Sequence, residues 1–267
     1  ISLCNNNIES LPKEIMMFES LASLNLSKNK LTELPKEIMG LKMLNNLELD
    51  SNQIKTLPQE ITHLSKLKGL TVSCNQLEAL PDSIGYLDLY VFDIHHNQLN
   101  TLPSSIAQLN LSELNLSYNK FKKLPAVIGD LQKLTSLNLQ NNQFEEIPKA
   151  VFKLKKPITL DLQYNKIKSI SNIPPNSAIM VLDVSNNQIS FISDEIANNK
   201  ALTWLILNNN NIKAFPNNIG DVSLLRRLSF ENNKVKKLPP SIGKLSNLIS
   251  IYAKSNQLSE IPAEIGK

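Results

Sequence analysis

Two cysteines in 267 residues, Cys4 and Cys74, leave no disulfide framework to stabilise this chain. No cysteine cluster closes either end, so the compartment is read as reducing and cytoplasmic. Seven glycines form no glycine-rich loop of the kind that cradles phosphates. No apolar run approaches the roughly 18 residues a membrane helix needs, which excludes a helical membrane span. Charged residues are only 19%, below the roughly 25% of a typical globular domain. The net charge of +4 is mild and gives no support to a nucleic-acid partner, which calls for a strongly basic face. Aromatics are 5%, so the few present are informative by position. Nothing here asks for a cofactor.

What the chain has in excess is leucine, 44 residues, and asparagine, 34. One asparagine recurs at 6, 29, 52, 75, 97, 119, 142, 165, 187, 210, 233 and 256, at intervals of 22 or 23. Length alone, at about 150 residues per domain, suggests two domains. The unbroken period instead predicts one repeat domain over 1–267. Around each asparagine runs L-x-x-L-x-L-x-x-N-x-L-x-x-L-P-x-x-I-x-x-L, as in Leu21 to Leu41. This is the signature of a leucine-rich repeat.

The segment x-L-x-L-x alternates with period two, so it predicts a short strand with one buried face. Stacked repeats make such strands parallel neighbours about 4.8 Å apart. Their apolar positions merge into a core that no single repeat could bury. Each asparagine follows a strand, where its amide can satisfy turn backbone groups otherwise buried unpaired. All twelve are therefore read as structural. Proline at 12, 35, 58, 81, 103, 125, 148, 216, 239 and 262 is read as the first residue of a short helical turn, where its missing N–H costs nothing. Acids inside those turns (Glu14, Glu37, Glu60, Asp82, Glu264) suit the helix dipole. The fold class predicted is an α/β right-handed solenoid, a horseshoe of about 12 repeats with a concave parallel sheet and convex helical or 3-10 turns.

Two repeats break the pattern. Ser171 and Ser193 replace the proline, Pro157 replaces a leading leucine, and Asn199 occupies a convex position that is apolar elsewhere. The reading is drift of the convex segment, with a bend or partner-binding irregularity over 166–200 as the alternative. The chain starts inside a strand and stops inside a turn without polar caps, which predicts a segment of a larger protein.

The L-P-x-x-I form of the 23-residue repeat resembles the Ras-group intracellular leucine-rich-repeat proteins. These include the Ras–Raf phosphatase scaffold, the Ras suppressor, plant Ras-group proteins and the repeat region of fungal adenylate cyclase. The resemblance implies an interaction module, with a small GTPase, a phosphatase or another signalling protein as partner. It leaves the partner open, because the repeated residues build the fold and the variable ones choose the ligand.

Residues flanking the strand leucines face the concave side. Among those three columns stand seven acids, Glu48, Asp50, Asp93, Glu113, Asp161, Asp183 and Glu231, against two bases, Arg227 and Lys254. That excess runs against the overall sign and predicts a preference for a basic or hydrogen-bonding protein surface. His95, His96, Tyr118 and Tyr164 cluster at the strand ends, and Trp204, Ile206 and Tyr252 form a second group near Arg227. Tryptophan, tyrosine and arginine are the residues enriched in interface hot spots. Glu48, Asp50, Asp93, His95, His96, Glu113, Tyr118, Asp161, Tyr164, Asp183, Trp204, Ile206, Arg227 and Tyr252 are thus the candidate partner-binding residues; none is assigned to catalysis, a cofactor or a metal.

Cys74 and His96 share a column in adjacent repeats, which admits a nucleophilic pair, or a metal site with His95 and Asp93. A flat repeat face gives neither a water-excluding pocket nor an oxyanion hole, so an enzyme is not expected. Lysines gather past the asparagine rungs, read as a solvated edge weakly paired to acids of neighbouring repeats, as Lys122 and Lys123 against Glu145 and Glu146. Sequons at Asn25, Asn110 and Asn115 are read as unused, since glycans would block the concave face. The function predicted is protein–protein recognition in a signalling scaffold or regulator. The alternatives are a targeting or regulatory segment of a multidomain signalling enzyme, and an exported microbial protein that binds host surfaces.

Overall fold

The computed structural model describes residues 1–266, in two compact units that divide between Leu134 and Thr135. In the first unit, β1 (Ser23–Asn25), β2 (Asn46–Glu48), β3 (Gly69–Thr71), β4 (Val91–Asp93) and β5 (Glu113–Asn115) follow in sequence order as parallel neighbours. Ser2 adds a parallel bridge to Asn25 at the β1 edge. The second unit contains β6 (Ser136–Asn138), β7 (Ile158–Asp161), β8 (Ser169–Ile170), β9 (Ile179–Asp183), β10 (Phe191–Ile192), β11 (Trp204–Ile206), β12 (Arg227–Ser229) and β13 (Ser250–Tyr252). Its main sheet runs β6-β7-β9-β11-β12-β13, all parallel. Each unit is therefore a leucine-rich-repeat solenoid, as the period-two pattern predicted.

The register is set by leucine. Leu24, Leu47 and Leu70 pair across β1 to β3, and Leu160, Leu182, Leu205 and Leu228 pair across β7, β9, β11 and β12. All seven are fully buried. At about 25 cal/mol per Å2 of apolar surface, each contributes roughly 2 kcal/mol of burial that exists only because a neighbouring repeat covers it.

The asparagine rungs do what their chemistry requires. Asn52 donates from Nδ2 to the carbonyls of Leu26 (3.0 Å) and Leu49 (2.9 Å), and its Oδ1 accepts the Leu31 N–H at 3.0 Å. Asn210 repeats the arrangement with Val184, Leu207 and Ile189. One buried amide thus satisfies groups of its own strand, the preceding strand and the preceding turn, which a leucine there would leave unpaired.

The residue before each rung is left-handed. From Asn5 to Ser255, twelve non-glycine residues in this column have φ between 52° and 59°. Five are asparagine and none is β-branched, as the steric cost of this region demands.

The return segments are 3-10 turns, such as Lys36–Gly40 and Pro240–Lys244. Here the prediction for proline needs correction. Pro35 is extended (φ −67°, ψ 142°) at the cap position, one residue ahead of the turn, and its carbonyl accepts the Ile38 N–H at 3.1 Å. Pro239 is extended in the same cap position, and only its neighbour Pro240 stands inside a turn, at the first position, where a missing N–H costs nothing. Asp82 also lies outside its turn, which shortens to Ile84–Tyr86.

The irregular repeats contain something the pattern did not announce. β8 and β10 form a separate two-stranded parallel sheet, pairing Ser169 with Phe191 and Ile170 with Ile192. Without proline at 171 and 193 the backbone N–H groups are free to pair, and Ser193 donates its own N–H to the Ile170 carbonyl at 2.8 Å. Ser193 then caps the next turn, its Oγ accepting the Glu195 N–H at 3.3 Å.

Candidate functional site

In each unit the strand side chains alternate between the core and an open face, which is where the candidate residues were expected. On the first unit much of the acidity is already engaged. Glu48 accepts from the Asn25 and Asn46 amides. Asp50 accepts from Thr71 Oγ1, Ser73 Oγ and the Ser73 N–H. These half-buried carboxylates tie neighbouring repeats together. Glu113 is exposed at the head of β5.

Asp93 holds its own neighbour, with Oδ1 2.7 Å from His95 Nδ1. His96 lies flat on Tyr118, ring centroids 3.9 Å apart and planes 12° apart. Partial burial, followed by the nearby His95, lowers the His96 pKa and favours the neutral ring that stacks. The left-handed column explains the stack: it projects residues of adjacent repeats from one backbone shape. Cys74 is a free, exposed thiol in the same column. Among the described residues no group of three or more His, Cys, Asp and Glu side chains is placed to hold a metal ion.

The second unit is arranged differently. Asp161 and Asp183 stand in register on β7 and β9. Asp161 accepts the Gln163 N–H and Nε2, and Asp183 the Ser185 N–H at 2.9 Å. Burial, and to a smaller degree Asp161, raises the Asp183 pKa against the bonds from Ser185. Beyond them Ile206 is the register partner of Asp183, and Trp204 that of Arg227. The Arg227 guanidinium lies 4.4 Å from the Trp204 ring centroid, a cation–π contact. Trp204 is 37% exposed and Tyr252 49%, large for aromatics on a sheet. Tyr164 is exposed in the left-handed column of this unit, followed by a ladder in which Asn232 donates to Asn209 and Asn209 to Asn186.

Sequence reasoning named these residues but missed their couplings. Stacking and cation–π pairs need both residues in one column of adjacent repeats, a signal available for His96 with Tyr118 and for Trp204 with Arg227. At the lysine edge the pairs formed are Lys168 with Glu145 (2.7 Å) and Lys237 with Glu260 (2.9 Å), all four exposed. His63 is exposed in a 3-10 turn, away from the strands.

A family model described as leucine rich repeat matches residues 1–54, 88–144 and 132–173. A leucine-rich-repeat protein of Leptospira interrogans is similar at 31% identity and a TM-score of 0.77, over 99% of this chain and 74% of that one. This chain belongs to the leucine-rich-repeat family. The leucine-rich-repeat chain is also similar to the plant peptide hormone receptor RGFR1, solved in complex with RGF2: 28% identity, TM-score 0.70, 99% of this chain and 49% of that one. For PEPR1, solved with AtPEP1, the values are 29%, 0.72, 98% and 39%. The chain thus spans about three quarters of the Leptospira protein and less than half of either of these two. No curated protein matches it. Among the described residues no helix is long and apolar enough to cross a membrane.

Proposed function

We propose that this leucine-rich-repeat protein is a recognition module that takes a protein or peptide partner on the open face of its strands, and is not itself an enzyme. The observation that carries this is the composition of that face: Trp204 and Tyr252 remain exposed beside Asp161, Asp183 and Arg227. Aromatic and arginine side chains held rigidly at a surface are what interface hot spots consist of. Two similar proteins, the plant peptide hormone receptor RGFR1 solved in complex with RGF2 and PEPR1 solved with AtPEP1, support the same use of the fold. The continuous 22–23-residue period supports a single repeat domain over 1–267.

The L-P-x-x-I repeats support membership of the Ras group, and with it a signalling scaffold or regulator whose partner is a small GTPase or phosphatase. Exposed free thiols at Cys4 and Cys74 support a cytoplasmic setting. So does the engagement of two sequon amides: Asn25 bonds Glu48 and Ser27, and Asn115 accepts from Ser117. The test is affinity capture with the wild-type chain and with a variant carrying Asp93, Asp161 and Asp183 changed to lysine, its folding checked by circular dichroism. A partner identified by mass spectrometry, purified and shown to bind only the wild type supports the reading. Equal retention by both proteins removes the acidic face from it.

A further inference from the structure

Charge on the second unit is ordered rather than scattered. Asp161 and Asp183 occupy adjacent strands at one side, with no cationic side chain in ion-pair reach among the described residues. Trp204 and Ile206 occupy the next strand, and Arg227 the one after. Lys254 shares its column with Glu231 of the preceding repeat, so it adds no net charge there. Arg227 has its flat face on Trp204, which leaves the N–H edges of the guanidinium available.

We propose that this face docks an extended peptide segment of a partner that presents a basic side chain to Asp161 and Asp183, apolar side chains to Trp204 and Ile206, and an acidic side chain to Arg227. The inference rests on the recognition reading above and names the ligand chemistry for one part of that face. Spacing fixes the ligand length. Asp183 and Arg227 are two strand steps apart, each about 4.8 Å, and offset by two residues along the strand. The diagonal is on the order of 12 Å, which an extended chain at about 3.3 Å per residue covers in three to four steps. Base and acid are therefore separated by two or three residues, and those between them lie over the indole.

Complementarity holds in both senses. Two carboxylates side by side, one of them partly desolvated, gain more from an incoming cation than either would alone. An arginine already ordered by a stacked ring loses little rotamer freedom when it takes a carboxylate. Trp204 is the single tryptophan of the chain, so its emission reports the site directly.

The experiment titrates the intact chain with a blocked hexapeptide, arginine, two leucines and aspartate between terminal glycines, while Trp204 emission is followed. Controls replace the aspartate by arginine or the arginine by aspartate. The mixed peptide is expected to shift the emission and to bind at least tenfold tighter than either control. Asp183→Asn and Arg227→Gln should each weaken it about tenfold, and Asp161→Asn provides a second acidic variant should the first fail to fold. Equal affinity for all three peptides, no emission change, or binding indifferent to these substitutions overturns the proposal. If the hexapeptide fails while a purified partner still depends on Asp161 and Asp183, the peptide chemistry is wrong and the recognition reading stands. If both fail, the acidic face drops out of the recognition reading together with this proposal.

Discussion

Asp183 shows what a carboxylate in a strand column costs its own repeat. Burial raises its pKa above the ordinary 3.8, so the fold disfavours the ionised carboxylate relative to the unfolded chain. Such a group subtracts from stability above its folded pKa; the penalty shrinks as pH falls through that value and is gone below 3.8. Asp183→Asn keeps an oxygen for the Ser185 N–H and removes the charge. It should raise the midpoint of urea unfolding at pH 7, and the gain should vanish as pH approaches 4. A gain that persists at pH 4 would show that charge is not its cause. The rungs behave oppositely. Asn52→Leu leaves the Leu31 N–H and the Leu26 and Leu49 carbonyls short of a partner, and should cost about 1–3 kcal/mol by equilibrium denaturation. A neutral result would mean that water replaces the amide.

At the scale of the element, the turns are limited by how closely they stack. A Cβ on Gly85 would come within 1.8 Å of the Ser105 carbonyl oxygen, backbone of the next turn that cannot swing aside. Gly85→Ala should destabilise by about 1–3 kcal/mol through overpacking, read as a lowered thermal midpoint. The reverse holds in the turn that follows β10. Asn199 is fully buried where other repeats place Leu41, Leu64 or Leu131, and neither its Oδ1 nor its Nδ2 has a hydrogen-bond partner. Asn199→Leu should stabilise by about 1–3 kcal/mol, the price of a buried amide left unpaired. No gain would point to an ordered water already satisfying it. How much of this was legible follows from the same contrast. The rungs, strands and turns repeat at an interval set by one coil of chain, so Asn52 and Leu47 announce themselves in a single sequence. The small sheet of β8 and β10 does not, because it depends on two prolines being absent one repeat apart, at Ser171 and Ser193. The left-handed column stayed hidden for another reason: no glycine marks it, and only the missing β-branched residues betray the constraint.

At the scale of the whole chain, acids outnumber bases in the strand columns that are read as binding, and bases outnumber acids elsewhere. The net charge is +4, yet the strand columns carry seven acids and two bases. Two outcomes for a basic partner follow, depending on which field governs the encounter. If the net charge governs, like signs repel and added salt should speed association. If the local columns govern, opposite signs attract and salt should slow it. The Debye length is about 10 Å at 0.1 M and about 3 Å at 1 M, so a salt series moves the screening distance through the spacing of neighbouring columns. Lysines such as Lys168 and Lys237 are exposed and already paired with Glu145 and Glu260, which removes part of the opposing field. Attraction by the columns should therefore win: stopped-flow association with a basic partner should slow several-fold between 0.05 and 0.5 M salt, with dissociation changing less. Association that quickens with salt would mean that the acids of the open face act within the fold, as Glu48 and Asp50 do, and not toward a partner.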